Sequence, residues 1–333
     1  FFGELLAHYR GPAHAAAQSR VRPYAEYLAW LQRQDRDGAL AAWGEHLAEL
    51  DGPTRLSSRE ASRTIPERCT RDLPKALAVS VQRFARERGV TLNTVIQGLW
   101  AALLGHLTGS DDVVFGVIVA GRPAELPGVE RMIGQFSITL PLRVRLRPGE
   151  PLAELLRRVQ QEQARLLPHQ HVGLAAIQSE VGMSDLFDTL VVFENYPIEH
   201  ALFAEEDGLR VTGSQGHDAT HYALTLVVIP GERLRFQLDY DPARVDGGAA
   251  AAIAGRFTRM LEAAAEDRLE ILEFGERQAL LQLGVMQPRA FDSESTLPER
   301  FEAQAARTPC AIAVTFNSAQ VTYAELNARA RGC

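Results

Sequence analysis

The stretch Val113–Arg147 constrains the fold of this chain more than any other. Val113-Val114-Phe115-Gly116-Val117-Ile118-Val119 is a β-branched apolar run, long enough for a buried strand and too short for a helix of its own. Ala120-Gly121-Arg122-Pro123 breaks it. A Gly- and Pro-marked loop follows through Glu130, and extended character returns at Ile133–Arg143. Keeping such a loop ordered between two buried strands costs conformational entropy unless it packs on something, and loops of this kind often line a site.

Around this centre, helical and strand-like patterns alternate. Apolar residues at Phe2, Leu5, Leu6 and Tyr9 predict a helix ended by Gly11-Pro12. Pro23–Gln34 predicts another, and Gly38–Leu50 a third. Thr54–Arg63 is polar and loop-like. Arg63–Leu73 can hold a strand before a helix from Pro74 to Gly89. Thr91 is placed to cap a helix reaching Leu107. Leu152–Leu167 is amphipathic. Leu186–Pro197, Leu209–Thr212, Tyr222–Ile229 and Leu234–Tyr240 read as strands, the last two as a hairpin around Pro230-Gly231-Glu232. An Ala-rich helix spans about Gly248 to Glu266. Arg268–Ser295 reads as a linker with a short helix at Glu276–Leu283. Beyond it come an amphipathic helix at Leu297–Arg307, a strand at Ala311–Phe316 and a helix starting at Val321.

Composition removes several classes of function. The 35 basic and 42 acidic residues give a net charge of −7, with no basic footprint for nucleic acid. No apolar run reaches membrane-spanning length. Cys69, Cys310 and Cys333 are too far apart for metal-ligand spacing, and free thiols in a reducing, cytoplasmic setting are the expectation. His169-Gln170-His171 closes a helix with no acidic or thiol ligand at a matching distance, so helix-end electrostatics explains it better than metal binding. No Walker-type glycine loop occurs.

GRPAELPGVERMIGQFSITLPLR resembles the segment of nonribosomal peptide synthetase condensation domains that carries IGxFxNTxxxR. Ile138 stands where that family usually has Asn, removing two donors and an acceptor. PYAEYLAWLQRQD resembles the family's YxDYAxWQ stretch, with Glu26 in the acidic position. By itself, a Tyr- and Trp-rich helix reads as core. FFGELLAHYRG resembles the helix that follows the family's HHxxxDG, a motif absent from this chain, which has no two adjacent histidines. LLPHQHVGLAAIQ is similar to the next motif, in the form seen where two L residues are joined. LFDTLVVFENYP resembles a further strand, on which Glu194 and Asn195 could line a tunnel or simply be solvated at a sheet edge. LPERFEAQAARTP and VTYAELNARA resemble the opening of an adenylation domain.

The resemblance implies an α/β (α+β sandwich) fold: the chloramphenicol acetyltransferase-like lobe of a condensation domain, truncated at its N-terminus. Residues 1–62 are then the remainder of the N-lobe with crossover helices, 63–267 the C-lobe, 268–295 an interdomain linker and 296–333 a truncated adenylation start. It implies peptide-bond formation between thioesters on two carrier proteins, upstream and downstream, with a covalently linked adenylation domain as neighbour and neither nucleic acid nor membrane as partner. No cofactor is bound directly. The carriers bring phosphopantetheine arms, and the ATP and magnesium site lies in the absent part of the adenylation domain. The catalytic histidine is expected upstream of Phe1, so no residue here is assigned catalysis and the chain alone is expected to be inactive. Structural or tunnel candidates are Arg122, Gly134, Gln135, Phe136, Ser137, Thr139, Arg143, Glu194 and Asn195, with Arg122 expected to hold the aspartate of HHxxxDG. A carrier-docking module without catalysis and a stand-alone acyltransferase of the same fold are the alternatives.

Overall fold

The computed structural model describes residues 2–9, 11, 12, 14, 21–59, 64–194, 220–272, 274–284, 295–317 and 319–331. The chain divides into two compact units, Phe1–Glu273 and Phe274–Cys333.

The first unit is built on a six-stranded mixed sheet. Its strands are β1 (Glu67–Asp72), β2 (Asp112–Val119), β3 (Ile138–Arg145), β4 (Thr189–Phe193), β5 (Leu224–Ile229) and β6 (Arg235–Tyr240), in the order β1-β6-β5-β4-β2-β3. The run at Val113–Val119 is a strand, and it pairs antiparallel with β3 over its whole length, Val119 opposite Ile138 and Asp112 opposite Arg145. β5 and β6 form the expected hairpin. The β2–β4 ladder is parallel and short, joining Gly116–Leu190 and Val117–Val191. Beside the first half of β2 the place of a neighbour is taken by Thr54. It bridges Phe187 in parallel, and its Oγ1 accepts from the buried Val114 amide at 2.7 Å.

The helices of this unit are α1 (Phe2–Tyr9), α2 (Ala25–Leu31), α3 (Arg36–Leu47), α4 (Lys75–Glu87), α5 (Leu92–Thr108), α6 (Leu152–Leu166), α7 (Leu174–Glu180) and α8 (Gly247–Ala264). α5 is the core helix, buried from Thr94 to Gly105 and packed on α4, α6, α8 and β2. Thr91 caps it as the sequence predicts, its hydroxyl accepting from the Thr94 amide at 3.0 Å, and Gly109 ends it in the left-handed region. Trp100, Phe236 and Phe257 meet edge to face at its centre. α4 and α5 taken together have the length and apolarity of a membrane span, but they are bent by 99° at the break between them and both pack into the core; among the described residues no single helix is long and apolar enough to cross a membrane.

The second unit holds α9 (Phe274–Gly284), α10 (Leu297–Arg307), the hairpin β7 (Ile312–Phe316) and β8 (Ala319–Thr322), and α11 (Tyr323–Arg331). A capping box between Thr296 and Glu299 starts α10. The helix predicted from Val321 begins at Tyr323 instead, because Val321 and Thr322 complete β8 and Thr322 then caps through Glu325.

Candidate functional site

The loop between β2 and β3 is the candidate site, and it is held from three sides. From within, the Arg122 guanidinium donates through Nη1 to the carbonyls of Val129 and Met132 and lies 3.9 Å from the centre of the Phe136 ring. Phe136 is buried, with Leu126, Val129, Met132 and Tyr27, in a small apolar cluster separate from the main core. Below, Gly121 (φ +56°) approaches the Phe136 carbonyl so closely that an added Cβ would lie 2.0 Å from the oxygen. Above, Tyr24 packs edge-on against Phe136 at 5.1 Å and donates its hydroxyl to the Gln135 carbonyl at 2.5 Å. Extended backbone was expected from Ile133, but the strand starts at Ile138. Before pairing begins, the Gln135 carbonyl is taken by Tyr24 and the Phe136 carbonyl lies against Gly121.

Gly134, Gln135 and Ser137 are exposed on the outer side of this turn, and the Gln135 amide donates to the Ser137 carbonyl at 3.2 Å. Thr139 is half-buried on β3, opposite Ile118. Ile138 is half-buried and packs against the main core. An Asn there would exchange this apolar contact for groups that need partners.

Arg143 is not part of this cluster. It lies four residues further along β3, roughly 14 Å at strand rise. Its side chain is 2% exposed and grips Asp112 with Nε at 2.9 Å and Nη2 at 2.6 Å. Nη1 donates to the carbonyls of His46 (3.0 Å) and Ala48 (2.6 Å), so the arginine closes the C-terminus of α3 onto the hairpin. His46 itself is buried. Its Nε2 has no partner among the described residues, its Nδ1 faces Glu162 at 3.5 Å, and burial pulls its pKa down to about 4. The facing carboxylate does not outweigh desolvation, so the ring is neutral.

Glu194 follows β4, and its amide donates to the Val228 carbonyl at 2.8 Å. Glu194 is half-buried, and β4 before it lies inside the sheet between β5 and β2. Asn195 and the expected strand Leu209–Thr212 lie outside the described residues. His171 places Nδ1 3.1 Å from the Pro168 carbonyl and Nε2 3.2 Å from that of Asp35, contacts that pin the α6–α7 turn to the start of α3. No group of three metal-ligating side chains occurs among the described residues.

Sequence reasoning missed the other end of β4. There Asp188, 4% exposed, accepts from the amides of Leu56 (2.9 Å) and Ser57 (3.1 Å) and from Arg244 at 3.1 Å. Burial raises its pKa and these donors oppose the rise. A cleft of about 740 Å³ opens beside it, lined in part by Arg55, Arg59, Asp185, Tyr222 and Arg244. The only local signal is an aspartate directly before an apolar strand.

The profile of the family described as "Condensation domain" matches residues 1–273. The chain belongs to the condensation-domain family. Tyrocidine synthase 2 of Brevibacillus parabrevis is 32% identical over 342 residues, 98% of this chain and 10% of that protein. Bacitracin synthase 3 of Bacillus licheniformis is 30% identical over 343 residues, 98% of this chain and 5% of that protein. The chain therefore spans a small fraction of the length of these curated relatives. Among solved structures, a starter condensation domain of rhizomide synthetase, in complex with C8-CoA and Leu-SNAC, superposes with a TM-score of 0.64 at 27% identity, covering 77% of this chain and 59% of that one. The first condensation domain of the CDA synthetase gives 0.61 at 24% identity over 75% and 56%, a likeness of fold. The sheet and its helices are thus the chloramphenicol acetyltransferase-like fold of condensation domains.

Proposed function

We propose that this chain is part of a nonribosomal peptide synthetase condensation domain that joins two carrier-bound thioesters. The amine of the acceptor attacks the donor's thioester carbonyl. A C–N bond forms, the C–S bond breaks, and the proton released by the amine accompanies the departing thiol. Such aminolysis needs a positioned amine, a route for its proton and stabilisation of the oxyanion. The observation that carries the reading is the IGQF turn held between paired β2 and β3 in a chain whose family match spans residues 1–273.

On this reading the partners are two carrier proteins with phosphopantetheine arms, and the setting is the cytoplasm. Residues 296–333 open an adenylation domain. In support, the match to tyrocidine synthase 2 covers 98% of the chain and so runs past residue 273. Arg122 is the partner of the HHxxxDG aspartate. The contacts of Arg122 are carbonyls and a ring, so its charge is not neutralised as that of Arg143 is by Asp112. Glu194, half-buried directly after β4, is a residue of the tunnel wall on this reading.

The test is dipeptidyl-carrier formation from loaded carriers, followed by intact-protein mass spectrometry. The parent synthetase is expected to turn over and the 333-residue chain alone to be silent, since it has no HHxxxDG. Steady product from the chain alone would overturn the assignment of chemistry to that motif. Reversing Arg122 to Glu in the parent should abolish turnover, and undiminished turnover sinks the pairing.

A further inference from the structure

We infer that Tyr24 is a positioning residue for the 133–137 turn, an inference that rests on reading this loop as part of the condensation site. Tyr24 immediately precedes α2, more than a hundred residues away in sequence from the turn it touches. A Cβ added to Gly134 would lie 2.2 Å from Cδ2 of the Tyr24 ring, so the glycine is required by the tyrosine. The Tyr24 hydroxyl then fixes the next carbonyl, that of Gln135, at 2.5 Å. Two residues earlier, Arg22 donates to the Pro127 carbonyl at 3.1 Å, so the same segment holds the far end of the loop.

Packing alone does not explain this arrangement. Tyr27, one turn on, is 4% exposed and supplies the apolar contact with Phe136 at 4.7 Å. Tyr24 is less buried and spends its hydroxyl on a backbone carbonyl of an exposed turn. Tyr24 holds the carbonyl of the peptide between residues 135 and 136, and Gly121 lies against the carbonyl of the next, between 136 and 137, so two successive peptides are set in one orientation. That orientation sets where Gln135 and Ser137 project at the entry to β3. Tyr24 acts through the backbone, and the specificity of the turn depends on it.

The test is a double-mutant cycle in the parent synthetase with Gly134→Ala, Tyr24→Leu and the pair, with Tyr24→Phe as the conservative variant. Peptide-resolved amide exchange over residues 133–138 and the separate kcat and KM of condensation are the readouts. Tyr24→Phe should speed exchange about fivefold, the loss of one hydrogen bond, and lower kcat with the melting temperature nearly unchanged. Gly134→Ala should act more strongly alone than in the Tyr24→Leu background, where the ring that it meets is gone. Independent, multiplying effects of the two substitutions overturn the inference. So does faster exchange in Tyr24→Phe with kcat and KM both unchanged, which would leave Tyr24 a structural contact only. Failure of the condensation reading shows differently: the wild-type parent then makes no dipeptidyl product while the exchange pattern still holds.

Discussion

The two ends of the β2–β3 hairpin are each fastened by an arginine, and the fastenings differ in kind. At the Asp112 end, Arg143 is almost fully buried and neutralised by a carboxylate while it also bonds backbone carbonyls. At the loop end, Arg122 bonds two carbonyls and covers an aromatic face, without a carboxylate partner among the described residues. A buried charge with a fixed counter-charge is costly to disturb. A cation held by dipoles and a ring quadrupole retains its charge for another partner. The first arrangement suits an anchor for the crossover from α3 into the sheet. The second suits a site.

The sharpest way to break this contrast is Arg143→Ala. It takes the closer of two arginines from Asp112, leaving Arg145 at 3.6 Å, and leaves the carbonyls of His46 and Ala48 without their donor, so the expected loss is about 3–5 kcal/mol in urea unfolding. Arg143→Lys keeps the charge without the planar fork and should recover only part of the loss. A cost for Arg143→Ala below that of the matching change at Arg122 would reverse the assignment of anchor and site. The same corner should also respond to pH. His46 has a folded pKa of about 4 against an ordinary 6.5, so between those values the unfolded chain binds the extra proton. Its contribution is present above about pH 6.5 and is lost as pH falls toward 4. The expected loss is about 2 kcal/mol between about pH 7 and pH 5, read as a lower urea midpoint. His46→Leu should flatten that slope; an unchanged slope means that another group titrates.

Thr54 tests whether the crossover is fastened independently of Arg143. Thr54→Val keeps the shape and removes the oxygen that accepts from the buried Val114 amide, an expected cost of about 1–2 kcal/mol. The effect should add to that of Arg143→Lys if the two contacts are separate, and coupling beyond about 0.5 kcal/mol would make them one unit.

Local chemistry explains what the sequence foretold. The β-branched run of β2, the Thr91 cap and the Pro230–Glu232 hairpin are decided by neighbours a few residues apart, and all three are as expected. What escaped is decided by distant residues. The late start of β3 depends on Tyr24 and Gly121, and the partners of Arg143 include carbonyls about a hundred residues upstream. β8 is four residues long with little apolar alternation, and so offered no periodic signal. The role of Thr54 rests on a single residue inserted beside a strand, which leaves no pattern at all. Within the loop, Arg122 covers the Phe136 ring and Gly134 meets Tyr24, but motif resemblance gave no hint that Arg143, in the same motif, serves another corner. Tyr24 read as core because an aromatic helix face is ordinarily core. Its hydroxyl carried the information, and only the position of the Gln135 carbonyl reveals it.

The smallest expected effect is at the loop end. Arg122→Lys leaves a positive charge that can reach one carbonyl but cannot bracket two while stacking on Phe136. The loss should be about 0.5–1 kcal/mol in global stability, the scale of a partly exposed cation–π contact. Because the cluster of Phe136, Met132 and Val129 is separate from the main core, the disturbance should stay local. Faster amide exchange confined to residues 122–137, with β2 and β3 protected as before, is the expected pattern. If protection is lost through Val113–Val119 as well, the loop is a structural part of the sheet, and the distinction between its two arginines fails.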